Sequence, residues 1–337
     1  MKSIKIFIAS SDELADDRNA FGNLVRRLDA IYEKRGIRIE LFEWEDYDAA
    51  YNNKRKQDEY NDQIKASDMF LALFHTKAGR FTIEEFDLAT EEFRLHASPK
   101  VYAYCKDLQA GDVESRELKE FKRRLFEELG HYWCRYNNRD SMQLHFVMQL
   151  QLVETNESEA LTVEDGIVKF GETPIAQFDN LSFAAGNTSY KNMQKELNEL
   201  PEKIEKARLR LEKMPNDEDL QDDLQQKKNR FVYLKEVFNR QQQALLDTAK
   251  RIAFMQQEKV SDAIRRAIDA FEDGNLERAN ILLEEVACEA DQHMEQLSTQ
   301  RQLVHQDIEA LHLQTKTLMA DITIPIKERI NRIAAIC

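Results

Sequence analysis

The first 150 residues alternate short apolar runs with longer amphipathic segments. The runs at 5–9, 69–74 and 100–104 have the length and composition of buried strands. Between them, apolar residues recur at the i, i+3, i+4 and i+7 spacing of helices, most clearly from Leu14 to Tyr32, and Gly36 ends that pattern. Ser10 and Glu13 stand at the spacing of a capping box, which predicts that this helix starts directly after the first strand.

Two further strands complete the predicted sheet. Apolar and charged residues alternate at 37–41, which is typical of a strand with one less protected face, nearer to a sheet edge. A short fifth strand is predicted at 131–136, with helices at 115–129 and 141–153 on either side of it. Because strands that alternate with helices form βαβ units, we expect residues 1–153 to form an α/β domain. Its sheet should be five-stranded, parallel and doubly wound, as in flavodoxin-like folds.

Residues 67–93 contain the most promising place for chemistry. An apolar strand is followed by a short loop, and a helix is expected to open at Thr82. In open α/β sheets, ligands bind outside the carboxyl ends of the strands, so a site is expected at loop 75–81 and the first helical turn. The domain contains neither GxGxxG nor GxxxxGK[ST]. This absence argues against a Rossmann dehydrogenase and against a P-loop ATPase.

Composition narrows the range of partners. The chain of 337 residues has a net charge of -14, and this acidic balance argues against broad contact with nucleic acid or anionic lipid. Its first apolar run is shorter than that of a signal peptide, and no segment approaches the roughly 18 apolar residues of a membrane span. We therefore expect a cytoplasmic protein. The four cysteines form no CxxC pair and the seven histidines no HxxxH spacing, which favours reduced thiols and no metal site.

The segment 154–187 is predicted to be a linker that contains a β-hairpin. Asp165 and Gly166 stand between two β-rich runs, which is a strong hairpin signal. Gly171 and Pro174 are expected to end the hairpin. The composition favours a spacer between two domains over an interface edge.

Residues 188–337 require only helices. One helix is predicted up to a break at 214–217 and a longer one over about 219–257. The longer helix has one complete apolar stripe and one incomplete stripe, which favours an antiparallel helical hairpin over a long coiled coil and leaves a homomeric contact open. The spacing of Phe271, Gly274 and Ala279 is similar to the turn of tetratricopeptide hairpins. Helices are also expected at 302–317 and 322–336, and the apolar end is typical of a chain that continues into more repeats.

Four segments of the first domain resemble a known family. In order, residues 5–11, 41–45, 67–74 and 79–86 resemble strand A, strand B, strand C and helix C of bacterial TIR-like domains. The resemblance covers residues 1–153. It implies an NAD glycohydrolase, an enzyme that cleaves the bond between nicotinamide and ribose, often as an effector that depletes NAD during phage infection. NAD would be the substrate, and no cofactor is expected.

The resemblance also nominates the site residues. The family's catalytic glutamate lies in helix C, three residues after a Cys or Ser and directly before an apolar residue, and Glu85 has this position after Thr82 and before Phe86. Many members have Trp-Cys where this chain has Phe81 and Thr82. The candidate substrate contacts are Ser10, Ser11, Asp12, Trp44, His75, Phe81 and Thr82.

One carboxylate is sufficient for this chemistry. Nicotinamide is a cationic leaving group that needs no general acid, and an ionised carboxylate can stabilise the oxocarbenium-like ribosyl centre or bond to it. The residues also allow a simpler interpretation, because Thr82 and Glu85 stand at the spacing of a capping box. Likewise, a lone histidine such as His75 is more often a polar loop residue than a base.

Three functions therefore remain open. The preferred one is an NAD glycohydrolase that the helical region controls through self-association or a protein partner. The alternatives are a TIR-like interaction module without turnover and a nucleoside deoxyribosyltransferase, which also uses a carboxylate at a ribosyl carbon.

Overall fold

The first domain is built on a five-stranded parallel sheet with the strand order β2-β1-β3-β4-β5. The computed structural model describes residues 2–43, 56–129, 133–153, 160–255, 262–290, 292, 294–297, 300 and 301. The strands are β1 (Lys2–Ser10), β2 (Ile37–Phe42), β3 (Met69–Phe74), β4 (Lys100–Lys106) and β5 (Trp133–Tyr136). The helices are α1 (Ala15–Glu33), α2 (Lys56–Lys65), α3 (Arg80–His96), α4 (Arg116–Glu127) and α5 (Arg139–Val153).

Helices cover both faces of the sheet. On one face α1 packs against α5, where the rings of Phe21 and Phe146 meet edge to face at 4.5 Å. On the other face, Phe86 of α3 lies 6.3 Å from Phe70 of β3 and 5.1 Å from Phe121 of α4. The central strand β3 is buried along its whole length, because helices lie on both sides of it. The prediction of a five-stranded, doubly wound α/β domain is confirmed.

The edge position predicted for the second strand is also confirmed. β2 pairs only with β1 among the described strands, in parallel, and Ile37 and Ile39 are buried while the charged residues between and after them are exposed. The predicted capping box at Ser10 is wrong. β1 continues through Ser10, a 3-10 turn follows at Asp12–Leu14, and α1 begins only at Ala15. The Glu13 carboxyl is occupied elsewhere, because Thr76 after β3 donates to it at 2.5 Å.

The predicted hairpin is present but belongs to a larger element. Strands β6 (Leu161–Glu164) and β7 (Ile167–Phe170) are joined at Asp165 and Gly166, and both turn residues have positive φ. Pro174, expected to end the hairpin, instead lies in a third strand, β8 (Thr173–Gln177). A proline is tolerated there because β8 is an edge strand and the register shifts between Val168 and Lys169.

This three-stranded sheet is more than a spacer. Its inner side chains are buried, and the ring of Phe170 stacks at 6.0 Å on Tyr32 of α1. The backbone of β8 is held as well, because Arg27 of α1 donates to the carbonyl oxygen of Pro174 at 2.8 Å. The sheet therefore packs against α1 and is hydrogen-bonded to it.

The helical region starts with a short helix, α6 (Ser182–Ala185), and continues as the predicted antiparallel hairpin. The hairpin helices are α7 (Thr188–Lys213) and α8 (Glu218–Met255). Tyr190 of α7 stacks on Phe238 of α8 at 4.9 Å and accepts a hydrogen bond from Gln242. The hairpin prediction is thus confirmed.

The predicted turn around Gly274 is present. α9 (Asp262–Glu272) ends before it, and a further helical segment covers 276–290. Gly274 has a φ of 77°, which favours glycine. The turn lies against α6, because a Cβ atom on Gly186 would stand 1.9 Å from the carbonyl oxygen of Asp273. The helices expected at 302–317 and 322–336 lie outside the described residues. By internal contacts the chain forms two compact units, the first comprising Met1–Ser261 and Ile268–Leu276.

Candidate active site

A cleft of about 300 Å³ opens where the carboxyl end of β1 meets the first turns of α3. This is the edge of the sheet at which open α/β folds bind ligands. The volume is at the lower end of the range for small-molecule pockets. The residues that line the cleft come from β1, the turn after it, α2 and α3, and they are Phe7, Ile8, Ala9, Ser10, Asp12, Tyr60, Phe81, Thr82 and Glu85.

Glu85 is held in the cleft by the packing of α3. The buried face of this helix consists of Thr82, Glu85, Phe86 and Ala89, which follow the 3.6-residue period. Phe86 is fully buried in the aromatic core, and this fixes the rotation of the helix about its axis. Glu85 is therefore a carboxyl group on the apolar face of an amphipathic helix, and it is only 9% exposed.

The capping-box interpretation of Thr82 and Glu85 is wrong. The N-cap of α3 is Gly79, so Thr82 is the third residue of the helix and Glu85 lies in its second turn. The amide of Ile83 already donates to the carbonyl oxygen of Gly79 at 3.0 Å. Within the described ranges, the Glu85 carboxyl accepts no hydrogen bond from the backbone at the helix start. Its position in the cleft therefore has no explanation in helix capping.

The surroundings of Glu85 favour its neutral form. Burial, together with the negative charge of the neighbouring Glu84, raises the pKa of Glu85 from 4.5 to about 7. No Lys, Arg or His side chain among the described residues forms an ion pair with it. A carboxyl group with this pKa is about half ionised at neutral pH. Such a perturbed acid in a cleft is a candidate catalytic group.

The cleft presents acceptors and aromatic rings rather than cations. Its described lining includes the carboxyl groups of Asp12 and Glu85 and contains no Lys, Arg or His. Phe81 is 66% exposed, which places its ring at the rim, and Tyr60 adds a second ring. A ligand with a positive charge and several hydroxyl groups would suit these side chains, because carboxylates accept hydrogen bonds and attract cations.

Two predicted contacts are used outside the cleft. Ser11 donates to Glu13 at 3.1 Å, and His75 Nε2 lies 3.1 Å from Asp112 Oδ2. Glu13 also accepts hydrogen bonds from Thr76 and from the amide of Lys77, which ties the turn after β1 to the loop after β3. Ser11 and His75 are therefore not among the described residues that line the cleft. Trp44 lies outside the described residues.

Five of the predicted residues meet in the cleft. They are Ser10, Asp12, Phe81, Thr82 and Glu85. Sequence reasoning did not select Tyr60, which lines the cleft from α2. Its spacing of four residues from the buried Ile64 is a signal that would have placed both side chains on the inner face of α2.

Comparisons of the chain with protein-family models, with curated proteins and with solved structures gave no match. In the part of the chain that the structure describes, no helix has both the length and the apolar content needed to cross a membrane. The same described ranges contain no group of three or more His, Cys, Asp or Glu side chains arranged to hold a metal ion.

Proposed function

We propose that the chain is an NAD glycohydrolase and that Glu85 is its catalytic residue. The observation that carries the proposal is the buried Glu85 carboxyl, which has a raised pKa and faces a cleft lined by acceptors and aromatic rings. NAD has a ribosyl nicotinamide group with a positive charge and vicinal hydroxyl groups. A cleft whose described lining contains two carboxyl groups and no basic side chain suits that end of the molecule.

The reaction needs only one protein group. As the bond between the ribose C1′ and the nicotinamide nitrogen breaks, its electron pair moves to the ring and neutralises the nicotinamide charge. The ionised Glu85 carboxylate then stabilises the positive C1′ or forms an ester with it. Water attacks C1′ and releases ADP-ribose and one proton. Burial strengthens the attraction between carboxylate and cation, because water does not screen it.

The helical region supplies a means of control in this proposal. An enzyme that consumes NAD is harmful to its own cell unless its activity is restrained. A helical hairpin with exposed faces, such as the one made by α7 and α8, is a suitable surface for a second copy or for a protein partner. We therefore propose an effector that depletes NAD, as in anti-phage defence, and whose activity depends on assembly through this region.

The test is nicotinamide release from NAD by wild type, Glu85→Gln and Glu91→Gln at high protein concentration. Glu91 is a matched control, because it is an exposed glutamate on the same helix. We expect Glu85→Gln to lower kcat by about 10³-fold, equivalent to about 4 kcal/mol of transition-state stabilisation. Glu91→Gln should turn over like wild type. The wild-type rate should rise with pH through about 7, the value to which burial raises the pKa of Glu85.

Two outcomes would overturn the proposal. One is an inert wild type under conditions in which it assembles, and the other is a folded Glu85→Gln protein that cleaves NAD at the wild-type rate. A parallel reaction with a deoxynucleoside and a free base tests for deoxyribosyl transfer. Turnover in that reaction alone would assign Glu85 to the other enzyme class.

A further inference from the structure

We propose that Arg18 is a positioning residue that acts through Ser10 and prepares one end of the cleft for a phosphate group of the substrate. This inference rests on the proposed function and deepens it, because it selects NAD over substrates without phosphate. Arg18 does not line the cleft, whereas Ser10 does. The two side chains are in direct contact, with Arg18 Nη1 2.5 Å from Ser10 Oγ.

The direction of this hydrogen bond fixes what Ser10 can do. A guanidinium group has only donors, so the Ser10 oxygen must accept from it. The Ser10 hydroxyl keeps its own hydrogen, and no other hydrogen bond of this hydroxyl is found among the described residues. Because the contact with a cation polarises the hydroxyl, Ser10 becomes a strong donor at the wall of the cleft.

Arg18 is buried behind Ser10. Arg18 is 1% exposed, and water therefore screens its positive charge only weakly. Its chain neighbour Asp17 has cationic partners of its own, with Lys106 Nζ at 2.7 Å and Arg139 Nε at 3.0 Å. The described lining of the cleft carries carboxyl groups at Asp12 and Glu85. The Arg18 guanidinium is therefore a positive charge in direct contact with a residue that lines the cleft.

The lining of the cleft thus includes two different groups, the Glu85 carboxyl on α3 and the polarised Ser10 hydroxyl at the end of β1. The Glu85 carboxyl suits the cationic ribosyl nicotinamide, and the Ser10 hydroxyl suits an anionic oxygen. NAD has both groups in one molecule, joined through the 5′-carbon of the ribose. A phosphate oxygen that accepts from Ser10 would hold the ribose with its C1′ towards α3. Arg18 would then contribute to substrate selection without touching the substrate.

The experiment compares NAD with nicotinamide riboside, which has the same scissile bond and no phosphate. The variants are Ser10→Ala, Arg18→Lys and the double variant, with Arg27→Lys as the control. Arg27 lies on the same helix, and its hydrogen bond goes to Pro174. For NAD we expect Ser10→Ala and Arg18→Lys each to lower kcat/KM by about 10- to 30-fold, mainly through KM, as for loss of a charge-assisted hydrogen bond. For the riboside the loss should be below about 3-fold.

A thermodynamic cycle then separates positioning from simple structural support. If Arg18 acts through Ser10, the kcat/KM of the double variant for NAD should be no lower than that of the less active single variant. Additive losses would overturn the role of Arg18, and equal losses on both substrates would overturn the phosphate contact. Where Arg18→Lys does not fold, the decision rests on Ser10→Thr, which keeps the hydroxyl and should keep the preference for NAD that Ser10→Ala loses.

A binding measurement keeps this test independent of turnover. The probe is ADP-ribose, titrated calorimetrically into Glu85→Gln and into Glu85→Gln with Ser10→Ala. We expect the added Ser10 substitution to raise the dissociation constant by about 10-fold or more. Unchanged affinity would refute the phosphate contact. If wild type fails to cleave NAD, the proposed function falls, while this titration still decides whether Ser10 binds a phosphate.

Discussion

Two carboxyl groups of the α/β domain are almost equally buried but have opposite pKa shifts. Asp17 is 1% exposed and Glu85 is 9% exposed. Burial alone would raise the pKa of Asp17, but hydrogen bonds from Lys106, Arg139 and Tyr136 outweigh it and hold that pKa below its usual value. Glu85 has no such partners among the described residues, and burial raises its pKa to about 7. The hydrogen-bond and ion-pair partners of a buried carboxyl group, rather than its degree of burial, therefore decide whether it is charged.

The two groups also differ in what they do for the fold. Asp17 at the start of α1 joins Lys106 at the end of β4, Tyr136 at the end of β5 and Arg139 at the start of α5. It therefore stabilises the meeting point of four elements. Glu85 makes no comparable contact with the residues that the structure describes, and its ionisation works against folding. Such local instability is common at functional sites, where a group is poised for a ligand instead of for its neighbours.

The largest effect on stability is expected from removing the charge of Asp17. Asp17→Asn leaves Lys106 and Arg139 facing a neutral amide and should lower the free energy of unfolding by about 3 kcal/mol at pH 7. We choose a value at the lower end of the usual free-energy cost of breaking a buried ion pair, because both cations, Lys106 and Arg139, are partly exposed. Urea unfolding followed by tryptophan fluorescence measures the change.

The pH dependence of that loss is a second check. The pKa of Asp17 is lowered in the folded protein, so its contribution is present above the ordinary value of 3.8 and is lost as pH falls through the folded value. The difference between wild type and Asp17→Asn should therefore shrink below about pH 4. A loss that persists unchanged at low pH would mean that Asp17 stabilises the fold by packing rather than by charge.

Removing the charge of Glu85 should have the opposite sign. Between the ordinary pKa of 4.5 and the folded value of about 7, the folded state holds a proton that the unfolded state has released. The free energy of unfolding of wild type therefore falls as pH rises through this window. Each unit of pKa difference between the folded and unfolded states corresponds to about 1.36 kcal/mol, so the total loss is roughly 3 kcal/mol. Glu85→Gln avoids this loss and should be more stable than wild type by about 2 to 3 kcal/mol at pH 8, with little difference at pH 4.

Glu91→Gln is the control for this titration and should follow wild type at every pH. A Glu85→Gln protein that is less stable than wild type at pH 8 would show that the ionised carboxylate has a stabilising partner. The combination of greater stability with lost turnover would instead support the proposed role of Glu85.

Much of the sheet and of the cleft could be predicted from the sequence for a physical reason. Parallel strands buried on both faces need continuous apolar runs, and the run Met69–Phe74 leaves little choice. Clefts in such folds form at the carboxyl ends of the strands, so the position of Ser10 and Asp12 at this cleft could be predicted from their place in the chain. Glu85 was nominated only by a resemblance to a family, and the structure places it on the buried face of α3 in the lining of the cleft.

Contacts between distant elements could not be predicted in the same way. The start of α1 was misplaced because the Glu13 carboxyl binds Thr76, 63 residues further along the chain. Strand β8 was missed because Pro174 normally ends a strand, and only an edge position with a register shift allows it. One signal was available, since Asp17 and Arg18 stand on the apolar stripe that joins Leu14 to Phe21. Charged residues on such a stripe are expected to be buried with partners.

Glu272 at the end of α9 has a raised pKa like Glu85 but, unlike Glu85, it lies near a cation. Burial raises its pKa to about 8, the positive charge of Arg135 opposes this shift, and the acids Asp269, Asp107 and Asp273 add to it. Arg135 gives its hydrogen bonds to Asp107, with Nε at 3.1 Å, and to Asp273. A cation stands near Glu272, but its Nε and Nη2 already donate hydrogen bonds to Asp107 and Asp273.

Glu272→Gln should therefore change the free energy of unfolding less than Asp17→Asn or Glu85→Gln. The folded state holds an extra proton between pH 4.5 and about 8, so wild type loses stability over that window and the variant does not. Because Glu272 is partly exposed, solvent weakens the effect, and we expect a gain of only about 1 kcal/mol at pH 9. Urea unfolding at pH 5 and pH 9 measures it. A variant less stable than wild type at pH 9 would mean that ionised Glu272 competes with Asp107 for Arg135. In that case Glu272 would resemble Asp17, whose ionised form is stabilised by cations, rather than Glu85.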